Sequence, residues 1–371
     1  MAQILIAPDK FKGSLSAFEV ASSIAAGLEE GGFTGEIQQL PIADGGEGTM
    51  DAVACTFDVE WVACPTTDAL GRTVEARYLL LDRGRKAVVE MSQAAGMWRI
   101  SADDRDAWRA STAGVGTMLR HVFQQPHVEE VLLGLGGSAT NDGGSGCAQA
   151  LGYRFLNATG EEVAIPEDLL SVTRVERPEK TWPGRVIAAC DVQNPLLGAE
   201  GASAVYGPQK GVSSDELPQQ EARLRHLEGL LRTHFGWEES KTPGAGAAGG
   251  FGWAVKTFLG GDLISGFQWI AGVLDLESAI AEADLVITGE GSMDEQTLSG
   301  KGPHGVACLA RRLGKPTLAF CGRRDSSPAL DEAFDEIVSL VRADRTVEES
   351  IRNAASYLQA AAEQVARAKY R

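Results

Sequence analysis

The sequence lacks several patterns that identify common classes of protein. Its six cysteines include no C-x-x-C pair, so we expect buried, reduced thiols and neither a disulfide framework nor a zinc site. It has no Lys/Arg-rich run, and 51 acidic against 34 basic residues give a net charge of −17, which disfavours a nucleic-acid partner. It has no apolar stretch long enough to span a bilayer, and its first residues lack the pattern of a secretory signal. We therefore expect a cytoplasmic protein with neither a membrane nor a nucleic-acid partner.

Three familiar catalytic patterns are also missing. The chain contains no G-x-x-x-x-G-K-[ST], which excludes an ordinary Walker P-loop. None of its five histidines pairs with Cys or Ser in a recognisable way, so a histidine-dependent triad or a zinc hydrolase has little support. Residues 244–249 match the dinucleotide fingerprint by letters, but they follow a polar loop and not a strand. A nicotinamide oxidoreductase is therefore disfavoured.

The length of the chain and the distribution of its strand, helix and turn patterns predict two α/β domains. At 371 residues the chain is longer than one core usually reaches. Strand, loop and helix patterns alternate at both chain ends, whereas the middle has strand-like runs separated by long glycine-rich turns. We expect a Rossmann-like parallel α/β domain built from residues 1–65 plus 283–371, with a second α/β domain, 66–282, inserted. The active site is expected in the cleft between them.

Several elements carry specific local signals. Ser16 with Glu19 forms a capping box that starts a helix, and Phe18 is predicted on its apolar face. A buried strand is expected over 285–288, followed by a loop at 289–291. In the middle, strands are expected over 73–81, 86–91, 130–134 and 185–189. Thr346 with Glu349 caps a final helix that carries the apolar residues Ile351, Leu358 and Val365.

The strongest chemical feature is a set of five polar, mostly glycine-rich loops that each follow an apolar strand. The carboxyl ends of strands are where open α/β sheets place their ligands. One such loop is usually only a turn, but five are hard to explain as turns alone. They span residues 9–14, 44–49, 136–144, 191–195 and 289–294.

The loop at 136–144 is the best candidate for a phosphate cradle. Its consecutive glycines let backbone N–H groups face one point, and Gly143-Gly144 leads into a helix whose N-terminus favours anionic oxygens. Ser138, Thr140 and Asn141 add side-chain donors. The alternative is a glycine-rich connection needed only for packing.

Charged residues beside these loops are candidates for phosphoryl chemistry. Lys12 is favoured as a phosphate-neutralising group, while Lys10, Lys210 and Lys301 pose the same choice between that role and a solvated lysine. Asp191 and Asn194 could share one metal-bound triphosphate, or they form only an Asx turn. Which aspartate is the base stays open. The acidic candidates are Asp44, Glu47, Asp142, Asp191, Glu290 and Asp294.

Six collinear motifs resemble the type 1 glycerate kinase family. They are IAPDKFKGSLSAFEVA, LPIADGGEGT, GLGGSATNDGGSG, ACDVQNPLLG, GASAVYGPQKG and VITGEGSMDEQTLSGK. The resemblance implies a two-domain α/β fold, ATP and Mg²⁺ as cofactors, and phosphorylation of D-glycerate, with 2-phosphoglycerate favoured over 3-phosphoglycerate.

The resemblance and the chemistry of the residues together suggest a set of roles. Catalysis is assigned to Lys12, Asp44, Asp191 and Asp294, of which Asp191 and Asp294 also hold the metal. Nucleotide binding is assigned to Gly136, Gly137, Ser138, Thr140, Asn141, Gly143 and Lys301. Substrate binding is assigned to Ser14, Glu47, Arg72 and Asn194.

The sequence departs from the family pattern at a few places that bear on the acceptor and not on phosphoryl transfer. The bulkiest departures are Trp108 and the segment 251–269, which includes Phe267. A kinase of another small hydroxy acid and a non-catalytic metabolite-binding protein are the alternatives. The sequence leaves open whether two copies form a homodimer.

Overall fold

The computed structural model describes residues 2–43, 45–295, 297–299, 302–341 and 346–370. Two residues predicted to act in the site, Asp44 and Lys301, therefore lie outside the described residues. None of the helices in these ranges combines the length and the apolar character that crossing a bilayer requires.

Contacts between Cα atoms divide the chain into two compact units. Unit 1 comprises residues 1–44, 51–57 and 266–371, and unit 2 comprises 45–50 and 58–265. The domain boundaries expected at 65/66 and 282/283, and the cleft expected between those domains, stay predictions.

The strands are numbered in chain order. They are β1 (Gln3–Ile6), β2 (Glu36–Gln39), β3 (Glu60–Thr67), β4 (Thr73–Leu81), β5 (Lys86–Glu90), β6 (Glu130–Gly134), β7 (Arg154–Leu156), β8 (Arg174–Glu176), β9 (Arg185–Ala189), β10 (Asp262–Ile264), β11 (Leu285–Met293), β12 (Thr317–Arg324) and β13 (Glu336–Ser339).

The α-helices are numbered in the same way. They are α1 (Ala17–Glu30), α2 (Thr49–Thr56), α3 (Ser92–Ala95), α4 (Ala113–Phe123), α5 (Ser145–Ala150), α6 (Ala202–Tyr206), α7 (Leu217–Phe235), α8 (Ala247–Thr257), α9 (Gly266–Val273), α10 (Leu276–Glu282), α11 (Gly302–Arg312), α12 (Pro328–Ala333), α13 (Val347–Arg352) and α14 (Ala354–Lys369).

Unit 1 is built on a parallel five-stranded sheet with the order β13-β12-β11-β1-β2. Residues far apart in the sequence meet in it, since Ile4 of β1 is in register with Leu285 on one side and Ile37 on the other. Ile4, Leu5 and Ile6 are fully buried, as expected for a parallel strand covered on both faces. The predicted α/β class, with a sheet made from both chain ends, is confirmed.

The predicted strand at 285–288 is longer than the sequence suggested. β11 continues to Met293, so Gly289, Glu290 and Gly291 belong to the strand and not to a loop after it. Its neighbour β12 extends in parallel, with Glu290 opposite Cys321. A Cβ at Gly289 would lie only 2.2 Å from the carbonyl oxygen of Phe320. The glycines here allow close strand pairing, which a turn-based interpretation overlooks.

Helix α1 begins as its capping box predicts. The Ser16 hydroxyl accepts from the backbone N–H of Glu19, and the Glu19 carboxylate accepts from the N–H of Ser16. The predicted apolar face is wrong in one residue, because Phe18 is 53% exposed. The buried face runs through Val20 and Ile24 instead, and it packs against α14.

The predicted final helix is two helices. Thr346 caps α13 as expected, by accepting from the N–H of Glu349. Asn353 (φ −110°, ψ 21°) then interrupts the helix, and α14 begins at Ala354. Leu358 is fully buried on α14, whereas Ile351 on α13 is 47% exposed. One continuous helical periodicity across 346–369 therefore misplaces Ile351.

Unit 2 contains a six-stranded mixed sheet with the order β10-β9-β6-β5-β4-β3. Strands β3, β4 and β5 pair antiparallel, and β5, β6, β9 and β10 pair parallel. The four strands expected in this region are present. β7 and β8 form a separate small antiparallel pair.

The expectation that glycine-rich turns replace helices in this region is wrong. Unit 2 includes α4, the 19-residue α7 and α8. Glycines in α4 let it approach its neighbours: a Cβ at Gly114 would lie 2.0 Å from the carbonyl oxygen of Thr67, and one at Gly116 would lie 2.6 Å from that of Cys147. These glycines lower helix propensity but are required for packing.

The division of the last helix predicts unequal effects of two alanine substitutions. Leu358→Ala removes a fully buried side chain and is expected to lower the free energy of unfolding by about 3 kcal/mol. Ile351→Ala removes a half-exposed side chain of the same size and is expected to cost less than about 1 kcal/mol. Urea unfolding followed by circular dichroism measures both. Equal losses would contradict the break at Asn353.

Candidate functional site

The carboxyl ends of four parallel strands in unit 2 meet at one edge of its sheet. Glu90 at the end of β5 is in register with Gly134 of β6, and Gly134 is in register with Ala189 of β9. Ile264 at the end of β10 is in turn opposite Ala189. The segments that follow these strands therefore leave the sheet side by side, which is where α/β proteins bind ligands.

The loop 136–144 follows β6 at this edge, and we call it the cradle loop. Its backbone is held to residues 95–97, because Met97 N–H donates to the carbonyl of Gly137 (2.8 Å) and Ala139 N–H donates to the carbonyl of Ala95 (2.8 Å). Gly137 has a φ of 76°, a conformation that favours glycine. The N–H groups of Gly136, Gly137 and Ser138 find no acceptor among the described residues. Such unused N–H groups are suited to anionic oxygens.

A second glycine-rich segment, 244–250, packs directly on the cradle loop. Gly143 N–H donates to the carbonyl of Gly249 (3.0 Å), and a Cβ at Gly249 would lie only 2.0 Å from the carbonyl oxygen of Thr140. This segment is the one that resembles a dinucleotide fingerprint. It follows the 3₁₀ helix Glu239–Lys241 and not a strand. Its glycines serve close backbone packing.

The carboxylate of Asp142 accepts hydrogen bonds from backbone N–H groups at the start of α5. One carboxylate oxygen accepts from Gly144 N–H (3.0 Å), and the other accepts from Gly146 N–H (3.2 Å) and from the N–H and hydroxyl of Thr112 (both 2.8 Å). The side chain is fully buried. The anionic oxygens that the sequence predicts at this helix start are therefore those of Asp142.

The three polar side chains assigned to nucleotide binding have different surroundings. The Ser138 hydroxyl accepts from Lys210 Nζ (3.0 Å). Asn141 donates from Nδ2 to Ser203 Oγ (2.9 Å) and to Gln220 Oε1 (3.3 Å). Thr140 Oγ1 and Asn141 Oδ1 are buried and have no hydrogen-bond partner among the described residues. A buried polar atom without a partner needs an explanation, and a bound ion or water is one.

The sequence does not decide between a phosphate-binding and a solvated Lys210, and the structure places this lysine at the cradle loop. It is 2% exposed, and Nζ also donates to the carbonyl of Thr140 (2.7 Å). Burial lowers the pKa of Lys210 to about 7, against a smaller raising effect of the Asp142 charge. Only the G-P-Q-K-G pattern marked this lysine in the sequence.

Residues 45–50 form a further loop at the same edge, and Glu90 holds it. Glu90 Oε1 accepts from the N–H of Gly48 (3.1 Å) and of Met50 (2.8 Å), and the side chain is 3% exposed. A Cβ at Gly134 would lie 2.3 Å from the carbonyl oxygen of Gly45, so this loop rests on the end of β6. Glu47 is exposed on it. Glu90 was missed, although a glutamate that ends a buried strand is a usable signal.

Asp191 lies at the end of β9, beside the cradle loop's strand. Its Oδ1 accepts from the hydroxyl of Ser265 (2.9 Å), which follows β10. Asn194 uses both ends of its amide within the protein, since Nδ2 donates to the carbonyl of Glu200 (2.8 Å) and Oδ1 accepts from the Tyr206 hydroxyl (2.6 Å). Asn194 thus stabilises its own loop, while Asp191 lies at the edge of the sheet where the parallel strands end.

Arg72 is part of a tight turn in unit 2. Its Nε donates to Asp68 Oδ2 (2.5 Å) and its Nη2 donates to the carbonyl of Arg99 (3.0 Å). The other Asp68 oxygen accepts from the backbone N–H groups of Leu70 and Arg72. The guanidinium therefore stabilises this turn, and substrate binding by Arg72 stays a prediction.

The remaining predicted residues belong to unit 1. Lys12 is exposed in the turn after β1, where Leu15 N–H donates to the carbonyl of Phe11. A Cβ at Gly291 would lie 3.2 Å from the backbone nitrogen of Lys12, so this turn lies against β11. Ser14 donates its hydroxyl to the carbonyl of Ile351 (2.8 Å). Asp294 follows β11, and its N–H donates to Thr297 Oγ1 (3.1 Å).

No group of three or more His, Cys, Asp or Glu residues with the geometry of a metal site occurs among the described residues. Mg²⁺ does not need one, because it is usually held by one or two carboxylates, phosphate oxygens and water. Asp191 in unit 2 and Asp294 in unit 1 each place a carboxylate after a parallel strand, and a carboxylate is the kind of ligand that Mg²⁺ takes.

Comparisons with known proteins agree along nearly the whole chain. A model of the glycerate kinase family matches residues 4–369. The chain is similar to a glycerate kinase from Bacillus subtilis (strain 168), with 37% identity over 98% of this chain and 97% of the relative. It is similar to a glycerate 2-kinase from Escherichia coli (strain K12), with 36% identity over 95% and 94%. A solved structure described as glycerate kinase 2 from Salmonella typhimurium LT2 has a TM-score of 0.85, 37% identity, and coverage of 98% and 97%.

The contact between Gly249 and Thr140 can be tested with a matched pair of substitutions. Gly249 (φ +69°) and Gly260 (φ +60°) share a left-handed backbone, so an alanine at either is expected to cost about 1 kcal/mol. Only Gly249→Ala also places Cβ against a backbone oxygen, whereas Gly260 has nothing within 4 Å. We expect about 2 kcal/mol of further loss for Gly249→Ala in urea unfolding. Similar losses for both variants would contradict the close packing of the cradle loop.

The role of Glu90 predicts a difference between two of its variants. Glu90→Gln keeps an oxygen that can accept from Gly48 and Met50, whereas Glu90→Ala leaves both N–H groups without that acceptor. Hydrogen exchange at these two amides is expected to be at least about tenfold faster in Glu90→Ala and close to wild type in Glu90→Gln. Equal protection in both variants would show that Glu90 does not hold this loop.

Proposed function

The chain belongs to the glycerate kinase family and is a phosphotransferase with an alcohol group as acceptor, and we propose that it moves the γ-phosphoryl group of ATP onto D-glycerate. We propose 2-phosphoglycerate as the favoured product over 3-phosphoglycerate. We further propose that the reaction takes place in the cytoplasm. The alternatives, another small hydroxy acid as acceptor or metabolite binding without turnover, are outcomes of the experiment below.

The observation that carries the proposal is the cradle loop. It follows a parallel strand, it presents N–H groups that find no acceptor among the described residues, and it has a buried lysine ammonium against it. Phosphoryl transfer is catalysed almost entirely by positioning and by stabilising charge on phosphate oxygens. Backbone N–H groups and an ammonium are the donors that this chemistry needs.

We propose Asp191 and Asp294 as ligands of Mg²⁺. When bound, Mg²⁺ neutralises negative charge on the β- and γ-phosphates. The hydrogen bond from Ser265 to Oδ1 orients the Asp191 carboxylate at the end of β9, where the neighbouring parallel strands also end.

The remaining assignments stay part of the proposal. Lys12 would add positive charge near the transferred group, and Glu47 would contact the acceptor. Both side chains are exposed, so neither has to leave a buried position to do so. Ser14, Arg72 and Asn194 are engaged within the protein and would need to exchange those hydrogen bonds for substrate. The identity of the general base is open among Asp44, Asp191 and Asp294.

The proposal predicts ADP release that depends on D-glycerate. A coupled assay with ATP and Mg²⁺ is expected to show turnover with D-glycerate above that with a panel of other hydroxy acids and sugars. Phosphorus NMR of the product is expected to show the phosphate on C2. Asp191→Asn is expected to reduce kcat by roughly 100-fold or more. Asp262→Asn, which lies at the opposite end of the neighbouring strand β10, is the control and is expected to retain activity.

Each negative result in this assay has a separate meaning. Turnover with a different acceptor would overturn D-glycerate as the substrate. ATP or ADP binding without ADP release from any acceptor would favour metabolite binding. Full activity of Asp191→Asn would remove Asp191 from the metal site while leaving the reaction intact.

A further inference from the structure

Lys210 is a fully buried cation that grips the cradle loop at two points. Its Nζ donates to Ser138 Oγ (3.0 Å) and to the carbonyl of Thr140 (2.7 Å), which lie on either side of Ala139. An ammonium has three N–H donors, and the third finds no acceptor among the described residues. The lysine thus ties the loop together and retains one donor.

The turn that carries Lys210 is fixed by its flanking residues. Lys210 N–H and Val212 N–H both donate to the carbonyl of Gly207. Gly211 has a φ of 92°, and a Cβ there would lie 2.4 Å from the carbonyl oxygen of Arg105. The 3₁₀ helix Pro208–Lys210 therefore presents the side chain from a rigid base, as positioning residues require.

Stability does not explain the choice of lysine here. Burying an ammonium is unfavourable, and an apolar side chain of similar volume would often be as stable or more stable. Asp142 attracts the ammonium, but its carboxylate already accepts from four donors, including Thr112 N–H and Gly146 N–H. Lys210 therefore lacks a carboxylate of its own within the described residues.

We propose that Lys210 positions the cradle loop for nucleotide phosphates and supplies them with its remaining N–H donor. This inference rests on the proposed phosphoryl transfer from ATP. The two bonds to Ser138 and Thr140 fix the backbone between them, next to the N–H groups of Gly136 and Gly137 that lack acceptors among the described residues. A bound phosphate supplies the negative charge that the buried ammonium lacks.

In this arrangement, binding of an anion and protonation of Lys210 favour each other. Burial holds the pKa of Lys210 at about 7, so much of the lysine is neutral above pH 7 when the loop is empty. An anion beside Nζ favours the charged form and raises this pKa, so binding above pH 7 takes up a proton. Asp142 is the neighbouring charge that acts on the pKa of Lys210. Three further charged groups lie on the elements around it. Arg105 donates to the carbonyl of Gln209, Arg223 donates to Gln220, and Glu90 lies beside Gly134 at the end of β6.

The first test compares Lys210→Met with Lys86→Met. Lys86 begins β5, at the end of that strand away from the cradle loop, and pairs with Glu130, so it serves as a control for loss of one lysine charge. We expect Lys210→Met to raise the KM for ATP at least about tenfold, while the KM for D-glycerate changes less than about twofold. In the wild type, kcat/KM for ATP is expected to fall above about pH 7, and this alkaline limb is expected to be missing in Lys210→Met.

The second test uses ADP binding and does not depend on turnover. Calorimetry of ADP binding at pH 8, in two buffers with different ionisation enthalpies, counts the protons taken up. The wild type is expected to take up most of one proton more than Lys210→Met, because ionisation of ADP itself contributes equally to both. If Lys210→Met does not fold, binding of ADP to the wild type without proton uptake still overturns the role of Lys210.

The outcomes separate this inference from the proposed function. Wild-type binding of ADP at pH 8 without proton uptake overturns the role of Lys210. Unchanged KM values and pH profile in a folded Lys210→Met variant overturn it as well, even if the enzyme phosphorylates D-glycerate. Proton uptake on ADP binding by a protein that transfers no phosphoryl group supports Lys210 and overturns the proposed reaction instead.

Discussion

At the carboxyl ends of the parallel strands of unit 2, the arrangement of the loops depends on backbone segments that pack directly against each other. Gly249 lies where a Cβ would come within 2.0 Å of the carbonyl oxygen of Thr140, and Gly134 lies where one would come within 2.3 Å of the carbonyl oxygen of Gly45. Three segments, 45–50, 136–144 and 244–250, are brought together in this way. Without side chains between them, the polar groups of the backbone have to be satisfied by a few buried side chains, or by a ligand.

The buried charged residues around the cradle loop answer that requirement. Asp142 accepts from donors of residues 112, 144 and 146, and Glu90 accepts from those of residues 48 and 50. Lys210 acts in the opposite sense, because it donates to the carbonyl of Thr140. Two carboxylates thus accept hydrogen bonds from backbone N–H groups, and one ammonium donates a hydrogen bond to a backbone carbonyl. The N–H groups of 136–138 find no acceptor among the described residues, and N–H groups of this kind suit an anion.

The sequence predicts the features that depend on near neighbours. The capping box of Ser16 and Glu19 and the four middle strands arise from local patterns and are present in the structure. The errors concern contacts between distant segments. Glycines of β11 and α4 were interpreted as turns, although they permit close approach to Phe320 and Thr67. The G-P-Q-K-G pattern draws attention to Lys210, but it does not predict burial against Ser138, 72 residues away.

The departures from the family pattern find packing partners within their own units. Phe267 is 8% exposed and lies against Gly305, where a Cβ would come within 2.5 Å of its ring. The Trp108 ring lies 4.2 Å from the guanidinium carbon of Arg223, a buried residue that donates to the carbonyl of Trp108.

Arg223 also donates to Gln220, whose side chain accepts from Asn141 of the cradle loop. Trp108 therefore supports the loop proposed to bind nucleotide, and Phe267 fills space above a glycine of α11. Packing accounts for both large side chains, and D-glycerate stays the proposed acceptor.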